Sequence, residues 1–410
     1  MEHLRKTRPA GWAWGRLGEK RRNVAVMGLM SFFNDLASEM IYPLLPVFLS
    51  TVLGAGPAAL GLIEGVAEST SALLKFYSGY VSDRLKRRKP LVSFGYVVSN
   101  IVRPLIGVAT GWYSVLVLRF ADRIGKGIRT APRDSLLSSS TSTKRAGFVF
   151  GLQRAMDHAG AVLGPLAAAL LLSTFAMGYR SVFLLSIIPG LAVIILSIAA
   201  LKELPMSAPP RREQADAGLR SALKLESPFR RYLSALFIFH LGNSTDAFLL
   251  LRASSLGVSV AHIPLLWMTF HVVKSATCLA GGWASDLLGR RKLILAGWII
   301  YSTVYLGFAA ASSAGHIWGL FVIYGAYFGL TEGAERALVI ETAKDSMPGT
   351  AFGIFNLTVG AAALPASVLF GLIWHYLGAE TAFISGSALA LTGAIILPKS
   401  SHSDKRREGN

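Results

Sequence analysis

The strongest constraint on this chain is a succession of apolar stretches, each about 18 to 25 residues long, recurring from residue 24 to residue 397. A helix rises 1.5 Å per residue, so each stretch is long enough to cross a hydrocarbon layer of roughly 30 Å. Spans are expected near 24–53, 58–82, 91–109, 113–136, 146–172, 180–201, 232–252, 262–285, 293–312, 318–342, 350–374 and 380–397, twelve in all. Only 16% of the 410 residues are charged against 52% hydrophobic, and the mean hydropathy is +0.49. Soluble proteins carry about a quarter charged residues, and a water-facing bundle would need far more polar surface than this. The sequence therefore reads as an all-α, multi-pass membrane protein.

A net charge of +18 would point to nucleic acid in a soluble chain, but here the placement of the charge excludes that reading. Segments 1–23, 84–90, 202–231, 290–292 and 399–407 hold 7, 5, 7, 3 and 4 Lys or Arg, while the alternate loops hold at most Arg180 and Arg252. That bias places both termini in the cytoplasm of a cell-membrane protein. The first 23 residues are basic and polar, so the first span is read as a retained helix rather than a cleaved signal. Cys278 lies alone inside a span, which rules out an intramolecular disulfide and leaves a small buried residue.

The longest polar interruption, 202–231, has paired prolines and mixed charge and separates six spans from six. The expected organisation is a cytoplasmic segment 1–23, a six-helix bundle 24–201, a cytoplasmic linker 202–231, a second six-helix bundle 232–397 and a cytoplasmic tail 398–410. The halves repeat: GYVSDRLKRRK (79–89) returns as GWASDLLGRRK (282–292) at an offset of 203 residues. The same offset pairs Arg129 with Glu332 and Arg133 with Arg336, and an offset of 202 pairs Gly151 with Gly353. Repeats of this kind put a transport site at their interface, near the middle of the bilayer.

Three elements carry a resemblance. Gly79, Asp83, Arg84, Arg87 and Arg88 form G-x-x-x-D-R-x-x-R-R, which resembles the loop 2–3 motif of the major facilitator superfamily. Arg123-Ile-Gly-Lys126-Gly-Ile-Arg129-Thr-Ala is similar to its fourth-helix R-x-x-Q-G-x-G-A-A pattern, made more cationic by Lys126 and Arg129. Gly151, Gly160 and Gly164-Pro165 resemble its fifth-helix antiporter motif, with Ala168 and Ala169 in place of the final two glycines. The resemblance covers essentially the whole chain. It implies the major facilitator fold of two pseudo-repeated six-helix bundles, and a cytoplasmic latch formed by Asp83, its counterpart Asp286 and the loop arginines. The antiporter motif implies proton-coupled export, although close packing of small residues produces the same spacing.

Buried charges in a membrane helix are costly, and so they are candidate functional groups. Arg119, Asp122, Arg123, Lys126, Arg129 and Arg133 fall within an arc of roughly 120° on an ideal fourth helix, with Asp122 and Arg123 at mid-depth. Such a stripe either binds an anion or sits in an interhelical salt-bridge network. The first span offers partners for it on one face: Asn34, Asp35, Ser38, Glu39 and Tyr42. Either carboxylate is a candidate proton carrier. Glu64 and Glu68 lie one turn apart on the second span with Lys75 further along, and Arg154 precedes Asp157 and His158 on the fifth. In the second half, His240, Asn243 and Asp246 share helical spacing, and His271 precedes Lys274 by three residues. Glu332, Glu335 and Arg336 read as a cytoplasmic gate or a bridge between halves rather than a substrate contact.

These features point to a secondary active transporter of a small organic solute, working as a monomer without a cofactor or a metal. Proton-coupled export is the leading reading, and proton-coupled uptake or exchange of an organic anion the alternative. No GxxxxGK[ST] loop implies ATP, and no HExxH, GxSxG or cysteine–histidine ligand spacing implies an enzyme.

Overall fold

The computed structural model describes residues 11–85, 87–140, 146–203, 227–342 and 348–397. Every regular element among them is helical. The second, fourth, fifth, eighth, ninth, tenth, eleventh and twelfth spans are single helices: Pro57–Leu85, Trp112–Ser139, Ala146–Ser173, His262–Leu288, Arg290–Ala310, Ala314–Thr342, Pro348–Leu377 and Ala379–Ile396. The third runs Lys89–Val102 into a 3-10 turn Pro104–Val108, and the sixth is Tyr179–Leu185, Ile187–Ile195 and a π turn Leu196–Ala200. These boundaries fall within a few residues of the expected ones, except at the N-terminus of the first helix, which begins at Gly11.

The first and seventh spans are broken. The first runs Gly11–Glu39, tightens into the 3-10 turn Tyr42–Leu44 and resumes as Leu45–Thr51. Pro43 and Pro46 supply no N–H for the carbonyls of Glu39 and Tyr42, so the α-helical ladder cannot pass through them. The seventh runs Ser227–Gly242 and resumes as Ala247–Ser255. Its gap, Asn-Ser-Thr-Asp, consists of residues whose side chains compete for backbone hydrogen bonds. The freed carbonyl of Gly242 accepts from the Tyr301 hydroxyl at 3.1 Å, and the Thr245 N–H donates to Ser367 Oγ at 3.3 Å. The two breaks are repeat-related, since the 203-residue offset carries Met40 to Asn243 and Pro43 to Asp246.

Eight spans are long and apolar enough to cross a membrane unaided, and the four that fall short are the second, fourth, eighth and tenth. In the structure these pack as second on fourth and eighth on tenth. Across the halves, second meets eleventh and fifth meets eighth, contacts that exchange under the twofold relation of the repeat. The polar spans thus sit in the interior.

The side on which the first span begins is the entry side, and the other is the far side. On the far side one apolar core joins the halves: Leu44, Val47 and Phe48 of the broken first span cluster with Phe248, Leu249 and Leu250 of the seventh. On the entry side the first half keeps a separate core built from Met27, Met30, Val92, Tyr96 and Leu136. The halves are therefore packed against each other at the far side.

Candidate functional site

Between the halves lies a cavity of about 470 Å³ that reaches from Tyr42, Glu39 and Trp267 near the far-side closure to Arg133, Asp134 and Arg336 toward the entry side. It is lined by all of the fourth-span stripe (Arg119, Asp122, Arg123, Lys126, Arg129 and Arg133) and by the first-span face (Asn34, Asp35, Ser38, Glu39 and Tyr42). Helical periodicity is the reason, because each set occupies one side of its own helix. A second cavity of about 330 Å³ shares Tyr42, Glu68, Lys75 and Asp246 with it and extends into the second half along Asn243, Ser244, Thr245 and Asn356.

The stripe arginines are matched to carboxylates. Arg119 donates to both oxygens of Glu64, Nη2 lying 2.6 Å from each, and its Nη1 lies 3.6 Å from Asp122. Arg103 of the third span donates to Asp122 at 2.9 Å and to the Asn34 carbonyl at 3.2 Å. Arg123 lies 3.4 Å from Glu68 and 3.9 Å from Asp122. Arg129 has no carboxylate within 4 Å among the described residues: it donates to Ser99 Oγ at 2.5 Å and Asn34 Oδ1 at 3.3 Å, and its guanidinium stacks 4.6 Å over the Tyr96 ring. Arg154 and Asp157 form the intrahelical pair their spacing implies, at 3.6 Å.

The expectation that first-span acids neutralise the stripe gives way to a different pairing. The carboxylates come from the second span and from the stripe's own Asp122, and Asn34 is the first-span side chain that reaches an arginine. Helix packing decides this, because the second and fourth spans lie directly against each other. Asp35 accepts only from the Asn34 amide, at 3.0 Å, and Glu39 from the Trp267 indole N–H across the halves, at 2.7 Å. Asp246, at the second-half break, accepts from the Tyr324 hydroxyl at 2.6 Å. Among the described residues none of these three has a cation within 4 Å, and neither Lys75 nor Lys126 has a carboxylate within that distance.

Glycines bring the fifth span onto the first. A Cβ at Gly160 would strike the carbonyl oxygen of Phe32, and one at Gly164 would lie 2.7 Å from that of Leu36 and 2.9 Å from Glu39 Cβ. Two of the antiporter-like glycines therefore fix the helix that carries Asp35 and Glu39, and Pro165 continues the same helix. Among the described residues Glu332 pairs with Lys274 at 3.5 Å and Arg336 at 3.1 Å, both in the second half. Arg88 donates to Ser139 Oγ at 2.5 Å and to the Ser135 carbonyl, tying the third span to the end of the fourth, while Arg87 is exposed. His271 lines the cavity, edge-on to Trp267 and Phe270. Gly79, Asp83, Arg84, Gly151 and Asp286 lie on helical backbone, and their surroundings fall outside the described residues.

The model of the Major Facilitator Superfamily matches residues 27–363 and 232–409, which together cover nearly the whole chain. The chain belongs to the Major Facilitator Superfamily. An uncharacterised MFS-type transporter of Methanocaldococcus jannaschii is 33% identical over 385 residues, covering 92% of this chain and 95% of that protein. Multidrug resistance protein MdtG of Enterobacter lignolyticus is 23% identical over 402 residues, covering 92% and 94%. Among solved structures, the nucleoside transporter NupG superposes with a TM-score of 0.75 at 12% identity, over 91% of this chain and 98% of that one, which supports the shared fold. As a superfamily member the protein is a membrane carrier rather than an enzyme.

Glu64, Arg103, Trp267 and Tyr324 complete the site, and the candidate residues read from sequence omit the last three. Arg103 was detectable, since a lone cation in an apolar span meets the rule applied to the fourth span. Glu64 was visible as the neighbour of Glu68. Trp267 and Tyr324 carry no sequence signal, because aromatic residues are frequent throughout the chain.

Proposed function

We propose that this carrier exports a small organic solute across the cell membrane in exchange for protons, with both termini in the cytoplasm and the monomer as the working unit. One observation carries the reading. Asp35 and Glu39 face the cavity with neutral hydrogen-bond partners, while the neighbouring arginines are already held by Glu64, Glu68 and Asp122. Carboxylates without a counter-ion in a membrane interior are suited to take up and release protons. Glu39 also binds Trp267 of the other half at the far-side closure, so its protonation state acts on the contact that must open for cargo to leave. The similarity to MdtG supports export as the direction.

A second reading, uptake or exchange of an organic anion, draws support from Lys75 and Lys126, whose ammonium groups have no carboxylate within 4 Å. Everted membrane vesicles acidified by respiration and monitored with a pH-quenched dye separate the two. For antiport, at least one member of a panel of acidic, zwitterionic and cationic compounds releases protons, and Asp35→Asn or Glu39→Gln abolishes the release while the protein stays folded. Proton release that survives both substitutions would overturn these residues as the coupling pair.

A further inference from the structure

We infer that the cargo is amphoteric, a compact solute whose amine binds at Asp246 in the second half and whose acid group binds at Lys126 and Lys75 in the first. The inference rests on reading the central cavity as the transport site, and it adds what the cargo must look like.

The argument starts from charge. Nine cations line the main cavity: Lys75, Lys126 and seven arginines. Seven carboxylates line it with them, so the wall offers partners of both signs. The distribution of those charges is polar. Among the described residues the lining cations left without a carboxylate within 4 Å are Lys75, Lys126 and Arg129, all in the first half. Arg129 is spent on Ser99, Asn34 and the Tyr96 face, which leaves the two lysines as the open cationic pole.

Among the described residues the opposite wall carries no open Lys or Arg. Its polar lining is Asp246, His240, the amides of Asn243 and Asn356, and hydroxyls of Ser244, Thr245 and Ser367. Arg336, the second half's only cation on the main cavity, is held by Glu332. Asp246 is bound only by a neutral hydroxyl, that of Tyr324, so one of its oxygens is available to a donor from solution.

The backbone points to the same place. Asp246 and Tyr42 sit at the repeat-related breaks of the seventh and first spans, and irregular backbone at membrane depth is tolerated where it lines a binding cavity. A solute bridging these breaks touches both halves. Contact with both halves lets binding energy distinguish one arrangement of the halves from the other. A volume of about 330 Å³ lies at the small end of ligand sites. Lys75 and Asp246 line both this smaller cavity and the main one, and Lys126 lines the main cavity.

The test uses full-length protein in lipid nanodiscs and two sets of probes matched in skeleton. One set is phenylalanine, 3-phenylpropanoate and 2-phenylethylamine; the other is 5-aminopentanoate, pentanoate and pentylamine. Binding is read by calorimetry and by thermal shift. In at least one set the zwitterion is expected to bind roughly ten-fold or more tighter than either single-charge relative. Asp246→Asn should reduce that zwitterion to the level of the anion, and Lys126→Met to the level of the amine. Both substitutions conserve shape, and an unchanged unliganded melting temperature shows that they fold. An anion or amine that binds as tightly as its zwitterion, failure of both zwitterions to bind, or a ranking unmoved by both substitutions overturns the inference. Proton release is measured in parallel. A single-charge compound that triggers Asp35-dependent release sinks amphoteric cargo and leaves proton exchange standing. A zwitterion that binds at every pH without proton release does the reverse.

Discussion

Replacing Glu64 by Gln isolates a deeply buried ion pair of the site. The side chains of Arg119 and Glu64 are 6% and 1% exposed, so solvent does not screen them. Arg119 makes three hydrogen bonds to the carboxylate, at 2.9, 2.6 and 2.6 Å. Gln keeps the shape but removes the charge and turns an amide N–H₂ toward the guanidinium. Arg119 then retains only Asp122, at 3.6 Å, which already serves Arg103 and Arg123. Removing one partner of a buried pair costs about 3–5 kcal/mol. The residual attraction of Asp122 sets the expectation at the lower end, about 3 kcal/mol, or roughly a hundred-fold in the unfolding equilibrium. Unfolding titrations with SDS in mixed micelles read this directly. Replacing both residues, Glu64→Met with Arg119→Met, removes the orphaned charge and should return stability to within about 1 kcal/mol of the parent. A Glu64→Gln loss below about 1 kcal/mol, or a double variant as unstable as the single, would refute the view that mutual neutralisation holds the stripe in place.

Three other outcomes follow from separate contacts. Gly160→Leu should cost about 2 kcal/mol or more and abolish transport, because its Cβ meets the Phe32 carbonyl, whereas the equally apolar but exposed Leu163 should tolerate Ala; equal unfolding midpoints for the two would count against close packing of the fifth span on the first. Trp267→Phe removes the donor to Glu39 and should increase maleimide labelling of a cysteine placed at buried Val47 in a Cys278→Ser background; unchanged labelling argues that the bond does not hold the far side shut. Glu203→Gln should destabilise the first half by about 1 kcal/mol, since its carboxylate accepts from the Arg88 and Lys89 N–H groups that open the third span; an unmoved melting temperature would show that this cap contributes nothing.

The spans were legible because a bilayer imposes length and apolarity on every crossing segment, and a helix reveals its polar face through a 3.6-residue period. The four most polar spans identified themselves by the charges they keep inside. The cationic stripe and the Asn34-to-Tyr42 face were placed correctly on the cavity by that periodicity. Their partners were not, since periodicity gives the direction of a side chain on its own helix and says nothing of which helix lies opposite. Asp35 and Glu39 share the cavity with the stripe, yet Glu64 and Glu68 reach its arginines, because the second span packs on the fourth.

What the sequence determined alone is the helical membrane class, the number of spans, the duplication and the inward placement of the charges, all of which follow from local geometry and the solvent imposed by lipid. Tertiary structure decided which arginines are already satisfied, that Asp35, Glu39 and Asp246 have no counter-ion within reach, and that the breaks of the first and seventh spans both line the cavity. It also decided that the halves close against each other on the far side. Those are relations between distant segments, set by the rotation and depth at which packed helices come to rest, and no single helix contains them.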